Sequence, residues 1–149
     1  MTFNCILSKV KYACDLVKLK LLENYCLPSL TYSIECGIFD NCQLASMNSW
    51  WNSVYRKIFG YFKWESVRNL ICSLNKLNFT YIEHLRRIIF IKKIMSCHVL
   101  SNSTLYKVTE NYVCRGDFYS VLMKCNIDMS WPISKIVYCV HQAFKNTCG

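Results

Sequence analysis

The chain has 149 residues, of which 53% are hydrophobic and 15% aromatic, with only 4 glycines and 2 prolines. It is long enough for one buried core and too apolar and too poor in turn formers for disorder, collagen-like repeats or turn-rich β architectures. Nine basic and two acidic residues between Arg56 and Lys93 supply +7 of the net charge of +9, which implies an anionic partner at that stretch, nucleic acid ahead of a membrane surface.

In chain order, Asp15 is placed to cap LVKLKLLENYC, where Leu16, Leu19, Leu22 and Cys26 recur at helical spacing. Pro28 then ends or kinks that helix, or sits in the first turn of a short one over PSLTYSIEC. Asp40 or Asn41 opens the next helix, along which Leu44, Met47, Trp51, Val54 and Ile58 form one apolar stripe. Gly60 supplies its left-handed cap, and Arg56 and Lys57 fall in the last turn, where cations suit the helix dipole.

A short helix is expected from about Glu65 to Lys76, and Thr80 with Glu83 reads as a capping box for the clearest helix of the chain. There Ile82, Leu85, Ile88, Ile89 and Met95 share one side, while Glu83, Arg86, Arg87 and Lys93 share the other. Further short helices are expected over SNSTLYKVTENY, after Asp117, and after Ser130 and Pro132, the last docking through Val137, Val140, His141 and Phe144. Alternation of strand type is scarce. The expected fold is all-α, one irregular bundle of about six to eight short helices.

No apolar run approaches the roughly 20 residues of a membrane-spanning helix, and Ile88 to Ile91 is bracketed by Arg86, Arg87, Lys92 and Lys93. The start MTFNCILSKVKYACD lacks the leading charge and apolar core of a signal peptide, so an intracellular protein, cytoplasmic or nuclear, is expected. The 11 cysteines show no C-x-x-C spacing, which disfavours a disulfide framework and a zinc site and leaves them as small packed hydrophobes. Paired acids, H-E-x-x-H, G-x-S-x-G and phosphate-binding glycine loops are all missing, and His84, His98 and His141 share no face with a carboxylate cluster. Neither catalysis nor a cofactor or metal is expected. Asn78-Phe79-Thr80 and Asn102-Ser103-Thr104 match the glycosylation acceptor pattern by chance.

Four motifs occur in a telling order: Cys26, Leu27, Pro28, Leu30, Tyr32 and Glu35; Trp51, Asn52, Tyr55, Arg56, Lys57, Ile58 and Phe59; Trp64, Glu65, Ser66 and Val67; and Arg87, Phe90, Lys92 and Lys93. Together they resemble the region that follows the polymerase palm in reverse transcriptases of non-long-terminal-repeat retrotransposons of jockey-like or related type. Cys36-Gly37 stands where such elements commonly carry an aromatic residue, and nothing from about residue 97 onward matches the family.

The resemblance implies a thumb-like helical region over residues 1–96, with residues 97–149 as an extension packed on it in one domain. It implies a fragment without the Y/F-x-D-D aspartates that hold the catalytic metal ions. Its partners would be an RNA/DNA template-primer, gripped without base specificity, and the missing palm. The candidate nucleic-acid contacts are Arg56, Lys57, Lys63, Arg68, Arg86, Arg87 and Lys93. A basic helical module for protein interaction or for a membrane surface is the alternative, and an element decayed beyond any selected function is a further one.

Overall fold

A computed structural model describes residues 2–32, 34, 39–97, 107 and 116–148. These residues are helical with no strand among them, in the order α1 (Thr2–Lys9), α2 (Asp15–Leu21), a π-helical turn (Leu22–Cys26), α3 (Leu27–Leu30), α4 (Asn41–Phe59), α5 (Arg68–Ser73), α6 (Phe79–Met95), α7 (Gly116–Lys124) and α8 (Ile133–Asn146). The all-α expectation is met. Among the described residues no helix is long and apolar enough to cross a membrane. Glu35, Cys36, Gly37, His98, Cys114 and the SNSTLYKVTENY helix, apart from helical Lys107, lie outside the described residues.

Helix α2 starts one residue earlier than its sequence implies. Cys14 holds the cap position with extended backbone, and Asp15 is already helical, its carboxylate 2.9 Å from Lys18 Nζ. Leu19, Leu22 and Cys26 are buried as the spacing predicts, whereas Leu16 is exposed. Pro28 does not stop the chain from coiling. Its ring lacks an N–H and crowds the carbonyl four residues back, and the turn directly before it widens into the π form, so that α3 carries Pro28 in its first turn. Glu23 in that widened turn reaches Lys76 at 2.7 Å, tying the N-terminal helices to the approach of α6.

Helix α4 begins on a reciprocal cap, the Asp40 carboxylate accepting the Gln43 N–H at 2.6 Å and the Gln43 side chain accepting the Asp40 N–H at 3.1 Å. It ends at Gly60, whose φ of 73° is the left-handed conformation that favours glycine. Trp51, Val54 and Ile58 are buried, and Leu44 and Met47 pack on the core's edge. The helix expected over Glu65 to Lys76 shrinks to Arg68–Ser73. Glu65 is used instead to accept the Phe62 N–H, and Asn75 at φ 54° closes the far end.

Asn78, not Thr80, caps α6: its side-chain oxygen accepts the Tyr81 N–H at 3.0 Å, and the Phe79 N–H donates to the Asn48 side chain at 3.1 Å. Glu83 takes no part in a cap because it points inward. Asn48 meets Phe79, while Asn41 and Leu44 share a cavity with Glu83, His84 and Arg87; α4 and α6 therefore run antiparallel. On its other flank α6 packs against α8, with the Tyr81 and Phe144 rings 5.2 Å apart and Lys92 Nζ donating to the Met129 carbonyl at 2.7 Å. Buried Ile136, Val140 and Phe144 dock α8, with Val137 and His141 half-buried.

One cluster of buried side chains runs from Phe3 to Phe144 with α6 at its centre. Among the thiols, Cys26 and Cys125 are buried within it, and burial pushes both up from the ordinary thiol range. Cys5, Cys14 and Cys42 are exposed, contrary to the expectation of packed thiols: Cys5 lies on α1, Cys14 at the cap before α2 and Cys42 in the first turn of α4.

The observed cap makes a measurable distinction. Asn78→Ala should cost about 1 kcal/mol in urea unfolding, and Thr80→Ala less than half of that.

Candidate nucleic-acid interface

Seven basic residues were singled out by their sequence setting, and the fold divides them. Arg56, Lys57, Lys63 and Arg68 gather where α4 ends and α5 begins, whereas Arg86, Arg87 and Lys93 follow one another along α6. Because α4 and α6 are antiparallel, the 1.5 Å rise per residue separates Arg56 from Lys93 by roughly 30 Å along the pair.

At the α4–α5 corner the local chain builds a polar cleft of about 310 Å³. Asn48, Asn52 and Arg56 follow one another at four-residue spacing on α4 and so share one of its faces; Ser66, Arg68 and Asn78 line the cleft opposite. Among the described residues no carboxylate lines it. Arg56 Nε donates to the Glu65 carbonyl at 2.8 Å, which fixes the guanidinium by one edge. Arg68, Lys57 and Lys63 are exposed, and Lys57 Nζ stands 5.8 Å from the Phe3 ring of α1 rather than in the cleft. Fixed and mobile cations around carboxamide donors are what a phosphodiester needs: fork-shaped guanidinium donors for its oxygens and point charges to replace counterions.

The α6 group is different. Glu83 is 1% exposed, and its carboxylate is held by Arg87 through Nη2 and by His84, whose Nδ1 lies 2.7 Å away. Arg87 retains 18% of its side-chain exposure, so much of its charge is spent inside the fold. Arg86 is half-buried and engaged with other groups, and Lys93 is exposed. The expected division of this helix into an apolar inside and a charged outside is thus corrected for Glu83. Both flanks of α6 are covered, one by α4 and one by α8, so part of the outer face becomes interior.

Sequence reading missed two things. The Asn48, Asn52, Arg56 series was readable as an i, i+4, i+8 row, and Glu83 with Arg87 is an i, i+4 ion pair. His84 contacts one carboxylate, that of the adjacent Glu83, and no carboxylate cluster. His141, half-buried near Lys145 and Lys76, has its pKa lowered by burial first and by those two charges second. Among the described residues no three metal-ligating side chains converge. No protein-family profile, no curated protein and no solved structure matches the chain.

Removing one partner of a buried ion pair leaves the other charge stranded. Arg87→Ala should therefore lower stability by about 3 kcal/mol, whereas Lys93→Ala should change it by less than about 0.5 kcal/mol, both read from urea unfolding.

Proposed function

We propose that the chain binds RNA/DNA template-primer duplexes without base specificity, as a thumb-like region related to the post-palm segment of non-long-terminal-repeat retrotransposon reverse transcriptases, and that it performs no catalysis itself. The observation that carries this reading is the cleft at the α4–α5 corner, lined by Arg56 and Arg68 and, among the described residues, by no carboxylate, with Lys57 exposed in the last turn of α4 and Lys63 in the chain that leads on to α5. The four motifs in register over residues 26–93 support the same reading, since the second and third of them build that corner. Of the α6 cations, Lys93 is the one whose exposure suits a phosphate contact.

Exposed Tyr12, Leu16, Val17, Tyr25 and Tyr32 favour a second reading, a helical module that docks on another protein. Such a surface is compatible with a thumb covered by its palm, and it makes the isolated chain prone to self-association.

Four phosphate contacts by Lys57, Lys63, Arg68 and Lys93 set the salt dependence. Affinity for a short RNA/DNA duplex should fall about a hundredfold between 50 and 200 mM salt. Lys57→Glu, Lys63→Glu and Arg68→Glu together should abolish binding at low salt with helicity intact. A triple variant that still binds as the natural chain does, or binding of anionic vesicles without binding of duplex, would contradict the proposal.

A further inference from the structure

The segment between α4 and α5 is exposed yet tightly fastened. Gly60 turns the chain, the Tyr61 N–H donates to the Arg56 carbonyl at 3.0 Å, and the Glu65 N–H donates to the Phe62 carbonyl at 3.1 Å. The Glu65 carboxylate accepts the Phe62 N–H at 2.5 Å, and Arg56 holds the Glu65 carbonyl. Val67, 1% exposed, anchors the far end in the core.

What this scaffold holds out is apolar. The Phe62 and Trp64 rings are 62% and 81% exposed and lie parallel within 2°, their centroids 5.1 Å apart. A loop free to move would fold two such rings onto the core, because burying them is favourable. Here the hydrogen bonds keep them stacked on each other in solvent.

We infer that the Phe62–Trp64 pair is a stacking platform for an unpaired nucleobase next to the bound duplex, an assignment that rests on the nucleic-acid reading of the neighbouring cleft. A base cannot enter between the rings, since two stacking contacts of roughly 3.5 Å each need about 7 Å. It adds as a third layer on an outer face. Charge fits this occupant: Lys63 between the two rings in the chain and Arg68 four residues beyond Trp64 are exposed, and the one carboxylate of the segment, Glu65, is turned onto the Phe62 amide. The wall of the polar cleft begins at Ser66, two residues from Trp64. A nucleotide therefore finds a seat for its base and another for its phosphate, whereas an anionic lipid would use the rings and lysines and leave the cleft unused.

Three fluorescently labelled RNA/DNA duplexes test this with the full chain: blunt, with a few unpaired template nucleotides, and with the same extension made abasic. The natural extension should tighten binding about tenfold and quench tryptophan fluorescence, and the abasic one should do neither. Trp64→Ala, a change at an exposed ring, should make the natural and abasic extensions bind alike, with helicity unchanged. An extension that adds nothing, an abasic extension that adds as much, or an increment that survives in Trp64→Ala overturns the platform. If the blunt duplex binds with steep salt dependence in those cases, the cleft reading stands without it. If the blunt duplex fails to bind while the unpaired strand binds through Trp64, the platform stands and the duplex reading falls. Binding of anionic vesicles that Trp64→Ala removes, with no gain from the natural extension, assigns the rings to lipid and overturns the inference.

Discussion

Helix α6 is covered on two flanks, by α4 on one and by α8 on the other, and the rest of the structure follows from that arrangement. A helix in this position cannot keep a whole face in water. Its charged residues must therefore be satisfied internally, as Glu83 is by Arg87 and His84, or be pushed to the ends, as Lys93 is. A carboxylate at 1% exposure is tolerable only with cationic or hydrogen-bonding partners in place. The same two-sided packing brings Tyr81 against Phe144 and places Phe79, Ile88 and Ile91 in one buried cluster with Trp51 and Tyr55.

Antiparallel pairing of α4 with α6 has a second consequence. It carries the last turn of α4 beyond the start of α6, where the chain must reverse at Gly60 and return through Val67 before α5. That reversal concentrates Arg56, Lys57, Lys63 and Arg68 at one corner and leaves Asn48 and Asn52 to line the cleft beside them. Basic residues that look uniform as a run of charges thus differ in what surrounds them: Arg87 is embedded in an ion pair, whereas Lys57, Lys63 and Arg68 stand in solvent.

Legibility in the sequence followed the locality of the physics. The α4 stripe, its Gly60 cap and the buried positions Leu19, Leu22 and Cys26 depend on spacing within one helix, and all were readable. The start of α6 was not, because Asn78 and Thr80 both suit a cap and the choice between them is made by Asn48 on another helix. Periodicity places Glu83 outside because it records one face and is blind to packing on a second. The Glu65 to Lys76 helix was overextended for a similar reason: the Glu65 side chain spends its oxygen on the Phe62 amide, a local bond that competes with helix formation. At the candidate site the charges were legible, but the carboxamides that join them were hidden in an i, i+4 row that only matters once α5 folds against it.

The central claim is that nucleic acid meets this chain at the Gly60 corner. Lysine acetylation with and without a bound RNA/DNA duplex at low salt tests it directly, since Lys9, Lys11 and Lys20 on the N-terminal segment are exposed, like Lys57 and Lys63. Duplex should protect Lys57 and Lys63 and leave the three N-terminal lysines reactive. Protection of Lys9, Lys11 and Lys20 with Lys57 and Lys63 still modified would contradict it.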